Sequence, residues 1–545
     1  MRLIDANPPA PRENLVMLLG FVVLALVLRA PALAYSVVNF DESMYVLMGA
    51  EILRGHLPYT TLCDLKPFGL FGLFSLITAL PGDDVINARI VASVVVGLTA
   101  WMLARVASHL FEDEKRLIGL VAGTAYVVFT LTTGGMSSQG ELFHNAFAVL
   151  ALWLVLRALA ERDPPRLVPM AAAGLALGVG LQIKQSVLFD MAAFVVGFFL
   201  LTAPSWRDLP SHVRARLPAL LTVGIASLVP TAGVILAYAL AGQLDAWIAG
   251  NITAHRVFYG VERPFLWEPA LRLLGLQALL WIAGGAGLAL SPWLARDGRE
   301  RRACLFLAVW VAAVVACQFF LRIAAEHYFL QFLPPLGLAA GLALGRGLLQ
   351  RLPGPAWRAA TLAVLTLLAV AAIARNPIAN AVLMTRERLL TGNPTLGDTP
   401  RSIAALLRPK LSPGDAIYVV GFQPIVYHLA GAEFATRFAF TGLPHADVPG
   451  RDGCPWVEPK IEMTRILDSR PRFVVVEDGV FFHELDPAVR RILTERLERD
   501  YRHVARFDSH PIHARFPFDA WVMNGGAAAD VYELVPPGTP MASEW

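Results

Sequence analysis

The chain has 545 residues, a mean hydropathy of +0.54, 56% hydrophobic residues and 16% charged ones. Soluble globular chains carry about 25% charged residues, so the composition excludes an ordinary soluble protein. A net charge of +3, with no basic arm or stripe, gives no reason to expect a nucleic-acid partner, and the absence of a G-x-x-x-x-G-K-[ST] segment argues against a P-loop nucleotide engine.

The first apolar run, residues 15–34, ends Ala32-Leu33-Ala34, which looks like a signal-peptidase site. Asp5 and Glu13 dilute the positive flank, however, and about 20 apolar residues suffice to span, so an uncleaved first span is expected. Residues 68–80 are apolar but short and contain Gly69 and Gly72, which suits a helix lying in the membrane interface. Further runs lie near 88–110, 117–133, 142–160, 167–182, 187–203, 217–241, 270–294, 303–321, 329–348 and 358–375. In hydrocarbon every backbone group must be bonded internally, so these runs are read as helices, about eleven in all.

Loop charge orients them. With a cytoplasmic N-terminus and residues 66–81 kept out of the span count, the inside loops hold Lys115 and Arg116, Arg162 and Arg166, Arg207, Arg214 and Arg216. They continue with Arg296, Arg299, Arg301 and Arg302, then Arg351 and Arg358. The outside loops keep Arg54, Lys66, Arg89, Lys184, Arg256, Arg263 and Arg322. This is a positive-inside pattern, and counting 66–81 as a span would invert it. Residues 35–87, 134–141, 241–267 and 323–328 then face the non-cytoplasmic side, and the odd span number delivers the tail there as well.

Charges are dense after about residue 375. Residues 415–421 and 472–478 read as short buried strands, and 423–431 and 489–501 as helices. The expected fold is an all-α polytopic membrane domain over residues 1–375, including a first outside loop at 35–87, followed by a small soluble α/β domain over 376–545. Of the four cysteines, Cys304 and Cys317 lie in apolar runs, while Cys63 and Cys454 could meet outside the cytoplasm.

The first loop carries the densest chemistry. Asp41 and Glu42 sit just past the membrane exit beside Phe40 and Tyr45, where adjacent carboxylates could serve as a general base or hold a divalent cation. They could equally cap a helix beginning near Ser43. Lys66 could neutralise a lipid phosphate or simply snorkel. Glu141, at the outer start of the fourth span, reads as a helix-start residue or a functional carboxylate. Lys184 interrupts two apolar runs, and a charge at membrane depth is a functional candidate. Arg322, Glu326, His327 and Tyr328 precede the tenth span. One topology puts all these groups on one side, where carboxylates beside cations suit a reaction between a lipid phosphate and a hydroxyl. Span interiors are almost free of charge, Asp190 being an exception, and no repeat is visible. A transporter or flippase is therefore the weaker alternative, as is a non-enzymatic assembly scaffold.

Phe40-Asp41-Glu42-x-x-Tyr45, Gly55-x-x-Pro58-Tyr59 and Asp64-x-Lys66-Pro67 resemble the GT-C polytopic glycosyltransferases, the branch of protein O-mannosyltransferases and lipid A aminoarabinose transferases. Ser138-x-x-Glu141, the run from Gly178 to Lys184 and Glu326-His327-Tyr328-Phe329 before Pro334-Pro335 add to it, over about residues 15–350. Phe68 departs from the pattern, since many relatives have a second proline there. The resemblance implies inverting transfer of a sugar from a polyprenyl-phosphate donor to a hydroxyl on a protein, lipid A or cell-envelope glycan, in a bacterial inner membrane. It implies that Asp41 is the base, that Glu42 and Glu141 position the acceptor or, in some members, a metal, and that Lys66, Lys184 and His327 stabilise the departing phosphate. A divalent cofactor stays open, with Asp41 and Glu42 as its candidate ligands.

Overall fold

The computed structural model describes residues 11–162, 164–202, 209–260, 265–322, 325–421, 423–439, 457–478, 482, 485–517 and 527–536. The helices run α1 (Pro11–Arg29), α2 (Phe40–Leu53), α3 (Phe68–Thr78), α4 (Asp84–Leu110), α5 (Lys115–Phe129), α6 (Gly140–Glu161), α7 (Leu167–Ile183), α8 (Val187–Thr202) and α9 (Leu209–Leu240). They continue with α10 (Trp267–Leu276), α11 (Ala278–Ala289), α12 (Gly298–Leu321), α13 (Leu333–Ala340) and α14 (Pro355–Thr391).

Each of the eleven apolar runs is helical, but eleven full-length spans are not what the described residues hold. Seven helices are long and apolar enough to cross a membrane, or eight if α10 and α11, bent by 82° at their junction, form one span. The difference is one of length. Helices α5, α7 and α8 have 15, 17 and 16 residues, about 22–26 Å of rise against a hydrocarbon core of about 30 Å. Helix α3, with 11 residues, is only about 16 Å long. Large apolar side chains such as Leu228, Ile225, Leu367 and Leu368 are exposed on α9 and α14, as expected of an integral membrane protein whose solvent there is lipid.

The chain divides into two compact units. The first comprises residues 1–30, 89–236 and 263–375; the second comprises 31–88, 237–262 and 376–545. In the first, α6 packs on α7, α8 on α12, and α13 between α5 and α11. Arg29, at the end of α1, is buried and donates to Ser93 Oγ at 3.0 Å, to Ser137 O at 3.1 Å and to the carbonyls of Gly135 and Met136. It thereby satisfies a turn that would otherwise bury bare carbonyls.

In the second unit the first loop and the tail are built together. Ser36 N donates to Asp398 Oδ2 at 2.7 Å, Tyr35 OH to Asn380, Arg401 pairs with Asp83 and His428 with Asp84. Arg437 donates to Cys63 Sγ at 3.2 Å and to Tyr59 O at 3.2 Å. Cys63 is disulfide-bonded while Cys304 and Cys317 are free; Cys454 lies outside the described residues. The tail folds around a five-stranded sheet of order β2-β1-β3-β5-β4, with β1 (Ala416–Val420), β2 (Glu433–Phe434), β3 (Phe473–Glu477), β4 (Tyr501–Phe507) and β5 (Ala529–Leu534). Strand β1 runs parallel to β2 and β3, and β5 is antiparallel to β3 and β4. Val474, Val476 and Tyr418 pack with Met463, Ile466, Val489 and Leu493 from two covering helices. The two buried strands and two helices expected from sequence are present, whereas β2, β4 and β5 were not anticipated.

Candidate active site

In the second unit, helix α2 begins at Phe40, three residues earlier than expected. Asn39, extended at φ −142°, is its cap, and its side-chain oxygen accepts from Asp41 N at 3.0 Å. The capping role is thus filled by a neutral amide. The Asp41 carboxylate is left for another partner, and it is Lys66, whose Nζ lies 3.1 Å from Asp41 Oδ1 and 3.6 Å from Asp64 Oδ1. Asp64 also accepts from Lys66 N at 2.8 Å, which folds the loop so that its ammonium turns back on the helix start. Tyr59 OH donates to Lys66 O at 2.6 Å, and Lys66 Nζ sits 5.6 Å from the Tyr45 ring centroid, a cation–π contact.

Tyr59 adopts φ +67°, a region bulky residues rarely visit. Its ring fills the space over Gly250, where a Cβ would lie 2.6 Å from Tyr59 Cδ1, and Tyr238 OH donates to Pro58 O at 3.0 Å. Such strain persists where the surroundings over-determine it, and here it orients the turn that presents Lys66. Helix α2 in turn rests on α3 through Gly49, where a Cβ would lie 2.7 Å from Phe74 C.

Asp41, Glu42 and Asp64 are all buried. Burial raises the Asp64 pKa even though Lys66 opposes the rise. For Lys66, burial alone would lower the ammonium pKa, but Asp41 and Asp64 outweigh it and hold it well above the ordinary lysine value. Glu42 is directed elsewhere, accepting from Val38 N at 3.4 Å, as expected because neighbouring helix positions do not share a face. Among the described residues no group of three or more His, Cys, Asp or Glu side chains is arranged to hold a metal ion.

The first unit brings together Glu141, Lys184 and His327. Glu141 lies in the first turn of α6, and the cap position, Gln139, makes no side-chain capping bond. Lys184 is the C-cap of α7, and its ammonium donates to Glu141 Oε1. Lys184 is 9% exposed and its ammonium lies 3.9 Å from the Tyr328 ring centroid. His327 Nε2 lies 3.9 Å from the same Glu141 oxygen. Glu141 Oε2 has no hydrogen-bond partner among the described residues, an acceptor left open beside two potential cations.

Asp64 and His144, the latter buried beside Glu141, were not singled out from sequence as site residues. Asp64 was legible as part of Asp64-x-Lys66, and His144 as the residue one turn beyond Glu141 on the same helix face. Asp190, noted as an intramembrane charge, accepts from Trp310 Nε1 at 2.6 Å and Gln331 Nε2 at 2.7 Å, and Gln331 also donates to Ser186 O at 3.1 Å. It ties the break after Lys184 to the segment carrying His327.

Residues 66–239 match the family model described as dolichyl-phosphate-mannose-protein mannosyltransferase, which supports the resemblance to the GT-C polytopic glycosyltransferases over that stretch. Two relatives from Pseudomonas fluorescens strains are named undecaprenyl phosphate-alpha-4-amino-4-deoxy-L-arabinose arabinosyl transferases. One is 25% identical over 293 residues, 51% of this chain and 46% of the relative; the other is 25% identical over 364 residues, 62% and 58%. The chain thus spans about half the length of the curated relatives it matches. The fold is similar to that of ArnT from Cupriavidus metallidurans in the apo state, with TM-score 0.56 and 17% identity over 94% of this chain and 97% of that one. The same protein bound to undecaprenyl phosphate gives TM-score 0.56 and 16% identity.

Proposed function

We propose that this protein is an inverting glycosyltransferase that moves a sugar from a polyprenyl-phosphate donor to a hydroxyl of a protein, lipid A or cell-envelope glycan. The observation that carries the reading is the Asp41–Lys66–Asp64 cluster, its two carboxylates buried and its ammonium partly so, a carboxylate beside an ammonium at the start of α2. Asp41 takes the acceptor hydroxyl proton as the oxygen attacks the anomeric carbon from the face opposite the phosphate. The bond from that carbon to the phosphate oxygen breaks, and the lipid phosphate leaves with the electron pair and its growing negative charge. Lys66, shared between two carboxylates in the resting state, is suited to take up that charge, and doing so loosens its hold on Asp41 as base. In the other unit Lys184 and His327 carry the donor-phosphate assignment, with Glu141 as an assisting carboxylate. Glu42 is assigned to acceptor positioning.

The names of the two arabinosyl transferase relatives, which include undecaprenyl phosphate, support a polyprenyl-phosphate donor. Two observations support a non-cytoplasmic first loop and a cytoplasmic N-terminus in a bacterial inner membrane. One is the positive-inside distribution of Lys and Arg; the other is the disulfide at Cys63, since disulfides persist in oxidising compartments. The same orientation makes residues 376–545 a non-cytoplasmic domain following a catalytic membrane body over 1–375.

The test is transfer from a panel of polyprenyl-phosphate sugars by the protein in membranes, with products identified by mass spectrometry. Asp41→Asn is expected to abolish transfer while leaving expression and folding unchanged; substantial residual transfer by that variant overturns the assignment.

A further inference from the structure

At the N-terminal end of α1 the first unit contains a cavity of about 880 Å³ between α1, α4 and α5. Its wall is apolar along Val16, Phe21, Leu24 and Leu120, and its end carries Arg12, Arg105, Lys115 and Arg116. Among its lining residues four cationic side chains face one carboxylate, Glu13, which pairs with Arg116 at 3.0 Å. The acidic turn just before Lys115 is engaged elsewhere: Glu112 pairs with Arg299, Asp113 with Arg296, and Glu114 with Arg296 and Arg346. Arg105 reaches Asn14 Oδ1 at 3.3 Å, which sets its guanidinium at the cavity end.

The cavity is a product of uneven packing along α1. Further along, close approach closes the helices: a Cβ at Gly97 would lie 2.5 Å from Val22 Cα, and one at Gly123 2.4 Å from Phe21 Cζ. At Gly20, on the cavity wall, a Cβ would meet nothing within 4 Å. From Arg12 to Leu24 the helix rises about 18 Å, the depth of one membrane leaflet with its headgroup region. A cationic end on an apolar slot of that depth matches one amphiphile. We propose that this cavity binds an anionic phospholipid of the cytoplasmic leaflet, its phosphate on the Arg12, Arg105, Lys115 and Arg116 end and an acyl chain along Val16 to Leu24.

Basic recesses between helices on the cytoplasmic side select anionic headgroups through charge-assisted hydrogen bonds that a zwitterionic lipid only partly reproduces. The polyprenyl phosphate of the proposed reaction is not the occupant. Within this unit the Glu141–Lys184–His327 cluster follows the turn held by Arg29, at the other end of α1, about 26 Å of helix rise from Arg12. The leaflet assignment rests on the orientation proposed above; the lipid preference does not, and neither requires transfer activity.

Native mass spectrometry of the full-length protein, titrated with phosphatidylglycerol or phosphatidylcholine, tests the site. Phosphatidylglycerol is expected to bind at least about tenfold more tightly, the ratio that ~1.4 kcal/mol produces. The paired substitution Arg12→Ala with Lys115→Ala is expected to remove that preference. Gly20→Leu, which fills the slot without changing charge, is expected to lower retention of phosphatidylglycerol while size-exclusion behaviour stays that of the wild type. Equal binding of the two lipids overturns the proposal, as does a preference untouched by either variant, or displacement of phosphatidylglycerol by stoichiometric undecaprenyl phosphate.

Discussion

Lys66 Nζ lies 3.1 Å from Asp41 Oδ1, a pairing across 25 residues that turns two separate sequence features into one ionic cluster. With Asp64 at 3.6 Å, a single ammonium balances two buried carboxylates. Removing it takes the shared cation from both.

Lys66→Ala is therefore expected to destabilise the protein by about 3–5 kcal/mol, the usual cost of leaving a buried charge uncompensated. Adding Asp64→Asn should recover part of that loss, because residues within one network are not additive. Thermal unfolding of the two single variants and the double variant measures the coupling, and simple additivity would contradict a shared cluster.

The same pairing makes stability pH-dependent at the alkaline end. Because the folded-state pKa of Lys66 is raised, its contribution is fully present below the unfolded lysine value of about 10.4 and is lost as pH rises through the folded value. Wild-type protein should lose more melting temperature than Lys66→Met when pH is raised past about 10.4. Parallel curves would remove the ion pair from the stability account.

Gly49 sets the distance between α2 and α3, since a Cβ there would lie 2.7–2.9 Å from backbone atoms of Phe74 and Ser75. Backbone cannot swing aside as a side chain can, so Gly49→Ala should cost about 1–3 kcal/mol as an overpacking change. It should also displace the start of α2, lowering transfer activity more than the stability loss alone explains. Melting temperature and initial rate, measured on the same preparation, separate the two effects.

Asp190 accepts from both Trp310 and Gln331. Gln331 retains Ser186 O when Asp190 is removed, whereas Trp310 Nε1 loses the acceptor it has here. Asp190→Ala is expected to cost about 1–3 kcal/mol for the stranded donor, on top of the cavity. Combining it with Trp310→Phe should cost less than the sum of the two single changes, as thermal unfolding of all three variants will report.

Much of the membrane body was legible because lipid leaves the backbone no alternative partner: each of the eleven apolar runs became a helix. Their capacity to span was less legible. The lengths of α5, α7 and α8 depend on where turns such as Lys184-Gln185-Ser186 fall, and the 82° bend after Leu276 interrupts an apolar run that marks the junction only with Gln277. In the tail, hydrophobic runs revealed β1 and β3, which are buried along almost their whole length. Strand β4 escaped because only one residue of Tyr501-Arg502-His503-Val504-Ala505-Arg506-Phe507 is buried, so no apolar run marks it in the sequence.

The candidate residues divide in the same way. Asp41 and Glu42 stand out as adjacent carboxylates, but from sequence alone they served equally as caps. Only the fold shows Asn39 taking the cap, Glu42 turned to Val38, and Asp41 on Lys66.

Sequence by itself determined that this is a polytopic membrane protein with an acidic first loop, because burial in lipid and loop charge act locally on whatever segment carries them. Tertiary structure alone decided which carboxylate meets which cation, Asp41 with Lys66 and Glu141 with Lys184, 43 residues apart. A charge removed from water must find its partner wherever the packed chain brings one within reach, and no spacing along the chain encodes that meeting.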